Sequence, residues 1–123
     1  MSSKLRDKAK KAPAPAHVPL EIPEWELTGP DTAYIKVWSA RDRVKWEELA
    51  AGDKASKGDA ITFGVLLALV GADGKPIFDA AADLPWLQDQ PAHLLLRIYR
   101  EVGKVNKLTK EASEDLAKNS ETQ

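Results

Sequence analysis

The reading of the fold turns on Ile61-Thr62-Phe63-Gly64-Val65-Leu66-Leu67-Ala68-Leu69-Val70-Gly71-Ala72-Asp73-Gly74-Lys75-Pro76-Ile77-Phe78. Its first ten residues are uncharged and carry the densest apolar run in the chain. An element that is apolar on every side has to be covered on every side, so the other elements should pack around this one. The run is too short for a membrane-spanning helix, which needs about 20 residues. Periodicity alone does not separate a buried helix from a buried strand in so short a run. Asp59, an N-cap residue type just ahead of it, favours a helix over about 60–70, with a buried strand as the alternative. Asp73-Gly74 then supplies turn chemistry, and Ile77 and Phe78 should return to the core. Val65, Leu66, Leu69 and Phe78 are expected to be buried.

Around this centre the chain supplies the covering elements. Val18, Leu20 and Ile22 alternate with Pro19 and Glu21, and Trp25 and Leu27 extend the alternation. After the turn cluster Thr28-Gly29-Pro30-Asp31 the pattern resumes with Ala33, Ile35 and Val37, which reads as a short hairpin leaning on the helices through Trp25. Its prolines confine the first strand to a sheet edge. Ser39 with Asp42 three residues on is a helix-start signature. It opens a helix to about Ala51, closed at Gly52, with Trp46, Leu49 and Ala50 inward and Val44 off that face. Asp83 can cap a short helix over Leu84–Gln88, with Pro85 in its first turn. Pro91 suits the first position of a longer helix whose stripe is Leu94, Leu95, Ile98, Tyr99, Val102 and Val105. Thr109 could cap a last, thinly apolar helix with Leu108, Ala112 and Leu116. The expected fold is therefore mainly α, a small α+β arrangement being the alternative: a central buried helix covered by three to four helices, with a short N-terminal β-hairpin.

The 123 residues, 43% hydrophobic and 30% charged, suit one domain with one core. Residues 1–17 hold five bases against one acid, +4, so the remainder carries −5 of the net −1. They read as a disordered basic arm ending in a Pro-Ala repeat, in which a helical turn across Leu5–Lys11 would be marginal alone. Residues 18–119 form the expected globular domain, and 120–123 a disordered tail. A net charge of −1 argues against bulk attraction to nucleic acid. No apolar stretch follows the basic start, so neither a secretory signal nor a membrane span is expected.

Site chemistry is sparse. There is no cysteine, and His17 and His93 are the two histidines. No phosphate loop, zincin motif or nucleophile elbow is present. Asp79 and Asp83, at i and i+4, read as helix-start residues, and the Asp73 turn lacks the alternating acids of a calcium loop. These absences point away from an enzyme, and no metal or cofactor is expected. The four tryptophans, Trp25, Trp38, Trp46 and Trp86, are more telling. Trp25 and Trp46 suit the core. Trp86 lies off the leucine stripe of its helix and can be exposed, as part of a binding patch that Tyr99 and Arg100 could extend. Trp86, Leu87, Leu95, Tyr99 and Arg100 are accordingly the candidate partner-binding residues.

In their order these elements resemble a known family. Glu21-Ile22-Pro23-Glu24-Trp25, the stretch Ala33–Arg43, and Ala68-Leu69-Val70-Gly71-Ala72-Asp73-Gly74-Lys75-Pro76-Ile77-Phe78 are similar to segments of the tail assembly chaperones of long, non-contractile-tailed bacteriophages. So are Asp83–Leu87, Ile98–Thr109 with its Asn106-Lys107-Leu108-Thr109 exit, and the acidic stretch Glu114–Ser120. The likeness spans about 18–120 and rests on order and spacing, each motif being short and structural. Ala72 departs from it, standing where many relatives are more acidic. The resemblance implies a non-enzymatic protein of the host cell cytoplasm, absent from the mature virion. Such proteins bind the long helical tape measure protein, keep it soluble and help the tail tube protein polymerise around it, and many phages add a longer frameshifted product. Exposed Trp86 or the last helix could also support a homo-oligomer. The competing reading is a small structural or interaction module of a phage particle or other complex.

Overall fold

Gly64 explains how closely the helices can approach one another. A computed structural model describes residues 2–51 and 57–108. In it the apolar run forms helix α3, Lys57–Ala68, and then strand β3, Leu69–Val70. A Cβ built on Gly64 would lie 2.7 and 2.8 Å from ring carbons of Tyr99 and 3.3 Å from the Trp46 indole nitrogen. The bare glycine therefore lets α3 nest against both α2, Ala40–Ala50, and α5, Ala92–Val105.

Two expectations for this stretch need correction. The helix begins at Lys57, so Asp59 lies within it rather than preceding it as a cap. The helix also does not run to Val70. Strand β2, Ala33–Ile35, needs backbone partners on its inner side. Leu69 and Val70 supply them, pairing antiparallel with Ile35 and Tyr34, while the Lys36 N–H donates to the Ala68 carbonyl at 2.7 Å. Leu69 and Val70 are buried on both faces, which an uninterrupted apolar run allows.

β2 is the middle strand of a three-stranded antiparallel sheet, flanked by β1, Val18–Leu20, and by β3. Val18 opposes Ile35 and Leu20 opposes Ala33, placing Pro19 on the edge strand. The expected continuation of the first strand through Trp25 and Leu27 does not occur. Pro23 has a fixed φ and no N–H, and Pro23–Trp25 turns as a single 3-10 helix. Glu26 takes a left-handed φ of 57°, and Ile22 and Leu27 exchange two backbone hydrogen bonds at 2.9 and 3.0 Å. This closed loop buries Ile22 completely.

The capping box at Ser39 is formed in full: the Asp42 N–H donates to the Ser39 hydroxyl, and the Ser39 N–H to the Asp42 carboxylate. Trp46 is buried and Val44 exposed, as its place off the inward face predicts. Helix α4, Leu84–Gln88, follows Asp83, but that carboxylate does not cap it and instead accepts from the Asp79 N–H at 2.7 Å. Asp79 in turn accepts from Ala81 and Ala82. Pro91 precedes α5 as its cap residue rather than starting it. Leu94, Leu95, Ile98 and Val102 are buried along α5, and Tyr99 and Val105 are packed part-buried beside them.

Val65, Leu66 and Leu69 are core residues, whereas Phe78 is half-buried. One apolar cluster joins Ile22, Ile35, Val65, Leu69, Leu87, Ile98 and Val102. Residues 2–10 form helix α1, longer than the marginal turn expected there, and its described side chains are exposed, Leu5 included. The expected last helix from Thr109 and the tail from 120 lie outside the described residues, as does Gly52. No described helix is long and apolar enough to cross a membrane.

Candidate interaction surface

The closed loop at 22–27 swings Trp25 against two other aromatic residues. Its ring meets Phe78 edge-on, with centroids 5.7 Å apart, and Trp86 at 5.4 Å; Phe78 and Trp86 stack at 5.7 Å. The triad is assembled from three places: the 3-10 turn, the segment returning after the Asp73-Gly74 turn, and α4. Gln90 fixes it from behind. Its side-chain oxygen accepts the Trp25 indole N–H at 3.1 Å, and its amide donates to the Trp86 carbonyl at 3.4 Å. A bidentate pair between Glu24 and Arg97, 2.7 Å on one arm, ties the same loop to α5. The hydrogen-bonding Arg97 guanidinium holds the Glu24 carboxyl down to about 2.

Trp86 is 46% exposed, while Trp25 and Phe78 are half-buried beneath it. Two hollows flank the triad and share Ile77 in their linings. One, about 530 Å³, is floored by Leu66, Leu67 and Phe78 and edged by Asp79, Asp83 and, from α2, Lys45. The other, about 650 Å³, runs past Trp25 and Leu27 and is edged by Glu26, Asp31 and Asp73. A third hollow, about 280 Å³, opens between α3 and α5 beside Ile61, Leu95 and Leu96.

A second aromatic group faces α2. Trp46 stacks between Trp38, centroids 5.8 Å apart, and Tyr99 at 6.4 Å, with the Arg43 guanidinium 5.7 Å from its ring. The Trp46 indole donates to the Ala60 carbonyl at 3.0 Å. Burial pushes the Tyr99 hydroxyl above its ordinary range. The buried indole N–H of Trp38 meets no acceptor among the described residues. Asn106, at the end of α5, locks this side: its side-chain oxygen accepts the Trp38 backbone N–H at 2.7 Å, and its amide donates to the Lys36 carbonyl at 3.1 Å. His17 accepts the Val37 backbone N–H at 3.3 Å, and among the described residues no group of acids and histidines is placed to hold a metal ion.

The five candidate partner-binding residues are not brought to one patch. Trp86 stands in the exposed triad, and Tyr99 belongs to the other aromatic group. Leu87 is fully buried and anchors α4 in the core, so it presents no surface. Leu95 is 5% exposed and lines the third hollow, and Arg100 is exposed on α5. Reasoning from the chain alone missed Trp25 and Phe78 as neighbours of Trp86, because 8 and 53 or more residues separate the three. Pro23 ahead of Trp25 was the available signal that the strand ends before the tryptophan.

The architecture is that of a small, helix-dominated domain with a minor antiparallel sheet and an exposed aromatic patch. A solved structure described as that of the bacteriophage HK97 tail assembly chaperone shares this fold, with a TM-score of 0.55 and 19% sequence identity over 85% of this chain and 95% of that one. No protein-family model and no curated protein sequence matches the chain.

Proposed function

We propose that this protein is a phage tail assembly chaperone, a non-enzymatic factor that binds the tape measure protein, keeps it soluble and promotes tail tube assembly around it. The fold likeness to the HK97 protein carries the reading, because it takes in nearly the whole of both chains rather than one shared motif. The order of segments along residues 18–120 points the same way. So does Trp86, exposed over the half-buried Trp25 and Phe78, since a large aromatic group left in solvent at the top of an apolar cluster marks a contact surface. In this role the protein works in the host cell cytoplasm, acts on the tape measure and tail tube proteins, and is left out of the finished virion.

The test is co-expression with overlapping fragments of the tape measure protein from the same phage genome. A chaperone should move at least one fragment from the insoluble to the soluble fraction and co-purify with it. If no fragment is solubilised, the reading fails. If the chain is instead recovered from purified mature particles, it is a structural component of the virion.

A further inference from the structure

The exposed triad sits in the most acidic part of the chain. Residues 21–31, which carry Trp25, hold Glu21, Glu24, Glu26 and Asp31 and no base. Residues 71–90, which carry Phe78 and Trp86, hold Asp73, Asp79, Asp83 and Asp89 against Lys75 alone. These two segments thus have eight acids against one base, −7, in a protein whose net charge is −1. Folding gathers both around the triad, and five of the acids edge the two flanking hollows. Two bases come in from other elements, Lys45 at the rim of one hollow and Arg97 paired with Glu24, so the acids remain in clear excess. The exposed Ala80, Ala81 and Ala82 leave the approach to Phe78 free of bulky side chains.

We infer that the Trp25–Phe78–Trp86 face is a docking site for a cationic amphipathic helix of a partner protein. Large apolar side chains of that helix enter the hollows on either side of the triad, and its Lys and Arg residues meet the surrounding carboxylates. Apolar burial supplies the affinity, and the acidic surround selects the partner and steers its approach. An apolar helix lacking basic flanks would leave these acids unpaired on docking, and an acidic one would be repelled. This inference rests on the chaperone reading, and it specifies both the surface and the chemistry of the tape measure segment that surface accepts.

The experiment titrates the full chain with an 18-residue leucine–lysine amphipathic helical peptide and with its leucine–glutamate counterpart, by calorimetry. The lysine peptide should bind at least tenfold more tightly, and raising salt from 50 to 300 mM should weaken it several-fold. Trp86→Ala should weaken binding about tenfold or more. So should Glu26→Lys combined with Asp31→Lys, two exposed sites whose side chains make no hydrogen bond or ion pair among the described residues. Val44→Ser, at an exposed site on α2, should change nothing. If Trp86→Ala perturbs folding by circular dichroism, the paired lysine variant decides. Equal binding of the two peptides, or wild-type binding by the paired variant, overturns the inference. So does self-association of the free chain that the paired variant abolishes, since the occupant would then be a second copy. The co-expression assay separates the two levels. A wild-type chain that solubilises no fragment sinks the chaperone reading, whereas variants that solubilise fragments as well as wild type sink only this surface.

Discussion

At the scale of single residues, Gly64 is the described glycine with the least room for a side chain. Alanine in mid-helix is intrinsically favoured over glycine by about 1 kcal/mol. At Gly64 the added methyl would overlap the Tyr99 ring, and such overpacking costs roughly 1–3 kcal/mol. The clash wins because Tyr99 is backed by Trp46 and the shorter approach is to ring carbons, not to a flexible chain end. Gly64→Ala should therefore lower the melting temperature by several degrees, measured by differential scanning calorimetry. A glycine inside so apolar a helical run was visible in the sequence as an anomaly, but which ring fills the missing side chain was not. Glu24 yields a pH prediction. Its carboxyl falls from an ordinary 4.5 to about 2 when folded, so its contribution is complete above about 4.5 and disappears as pH falls through 2. The stability difference between wild type and Glu24→Gln, from denaturant titrations, should be constant near neutrality and shrink below pH 4.5. Salt should reduce it at every pH, because the pair is exposed. At Asp42, partial burial opposes ionisation, but hydrogen bonds from Ser39 and the Lys36 ammonium outweigh it and hold the carboxyl below its ordinary range.

At the scale of elements, the notable event is a helix passing directly into a strand at Ala68–Leu69. The run is apolar throughout, so its pattern fits both conformations. The choice falls at residue 69 because β2 offers unpaired backbone there. The end of α5 shows the same dependence on distant partners. Lys107 takes a left-handed φ of 60°, the Leu108 N–H returns to the Gly103 carbonyl at 2.7 Å, and Asn106 reaches across to the chain leaving β2. Asn106→Ala would leave the part-buried Trp38 N–H and Lys36 carbonyl without these partners. A loss of about 1–3 kcal/mol is expected in chemical denaturation, with accelerated amide exchange at Trp38 as its local signature. The Ser39–Asp42 capping box, by contrast, was legible from spacing alone, because both partners lie within one helical turn.

At the scale of the whole molecule, a single cluster connects the sheet, α3, α4 and α5. Leu69 is fully buried within it, while its backbone forms part of the sheet. Leu69→Ala should cost about 2–5 kcal/mol. Far-ultraviolet circular dichroism and tryptophan fluorescence should still report one coincident transition, since sheet and helices share their core. Two separate transitions would show that the hairpin folds independently of the helices. The charge distribution also belongs to this scale. The basic residues of 1–17 lie along exposed chain, whereas the acids gather around the exposed aromatic triad. Chain order alone shows the basic cluster but not the acidic one, which folding brings together.

The sequence by itself determined the helical stripe of α5, the burial of Trp46 on α2, the Ser39 cap, the Asp73-Gly74 turn and the burial of Val65, Leu66 and Leu69. Each follows from residues within a few positions of one another, where spacing and local hydrogen bonding dictate the outcome. Only the tertiary structure decided that Leu69 and Val70 form a strand, that Pro23–Trp25 turns, that Leu87 is sealed, and that Trp25, Phe78 and Trp86 make one patch. Those features depend on contacts between segments distant along the chain, and an uninterrupted apolar run carries no periodicity from which to read them.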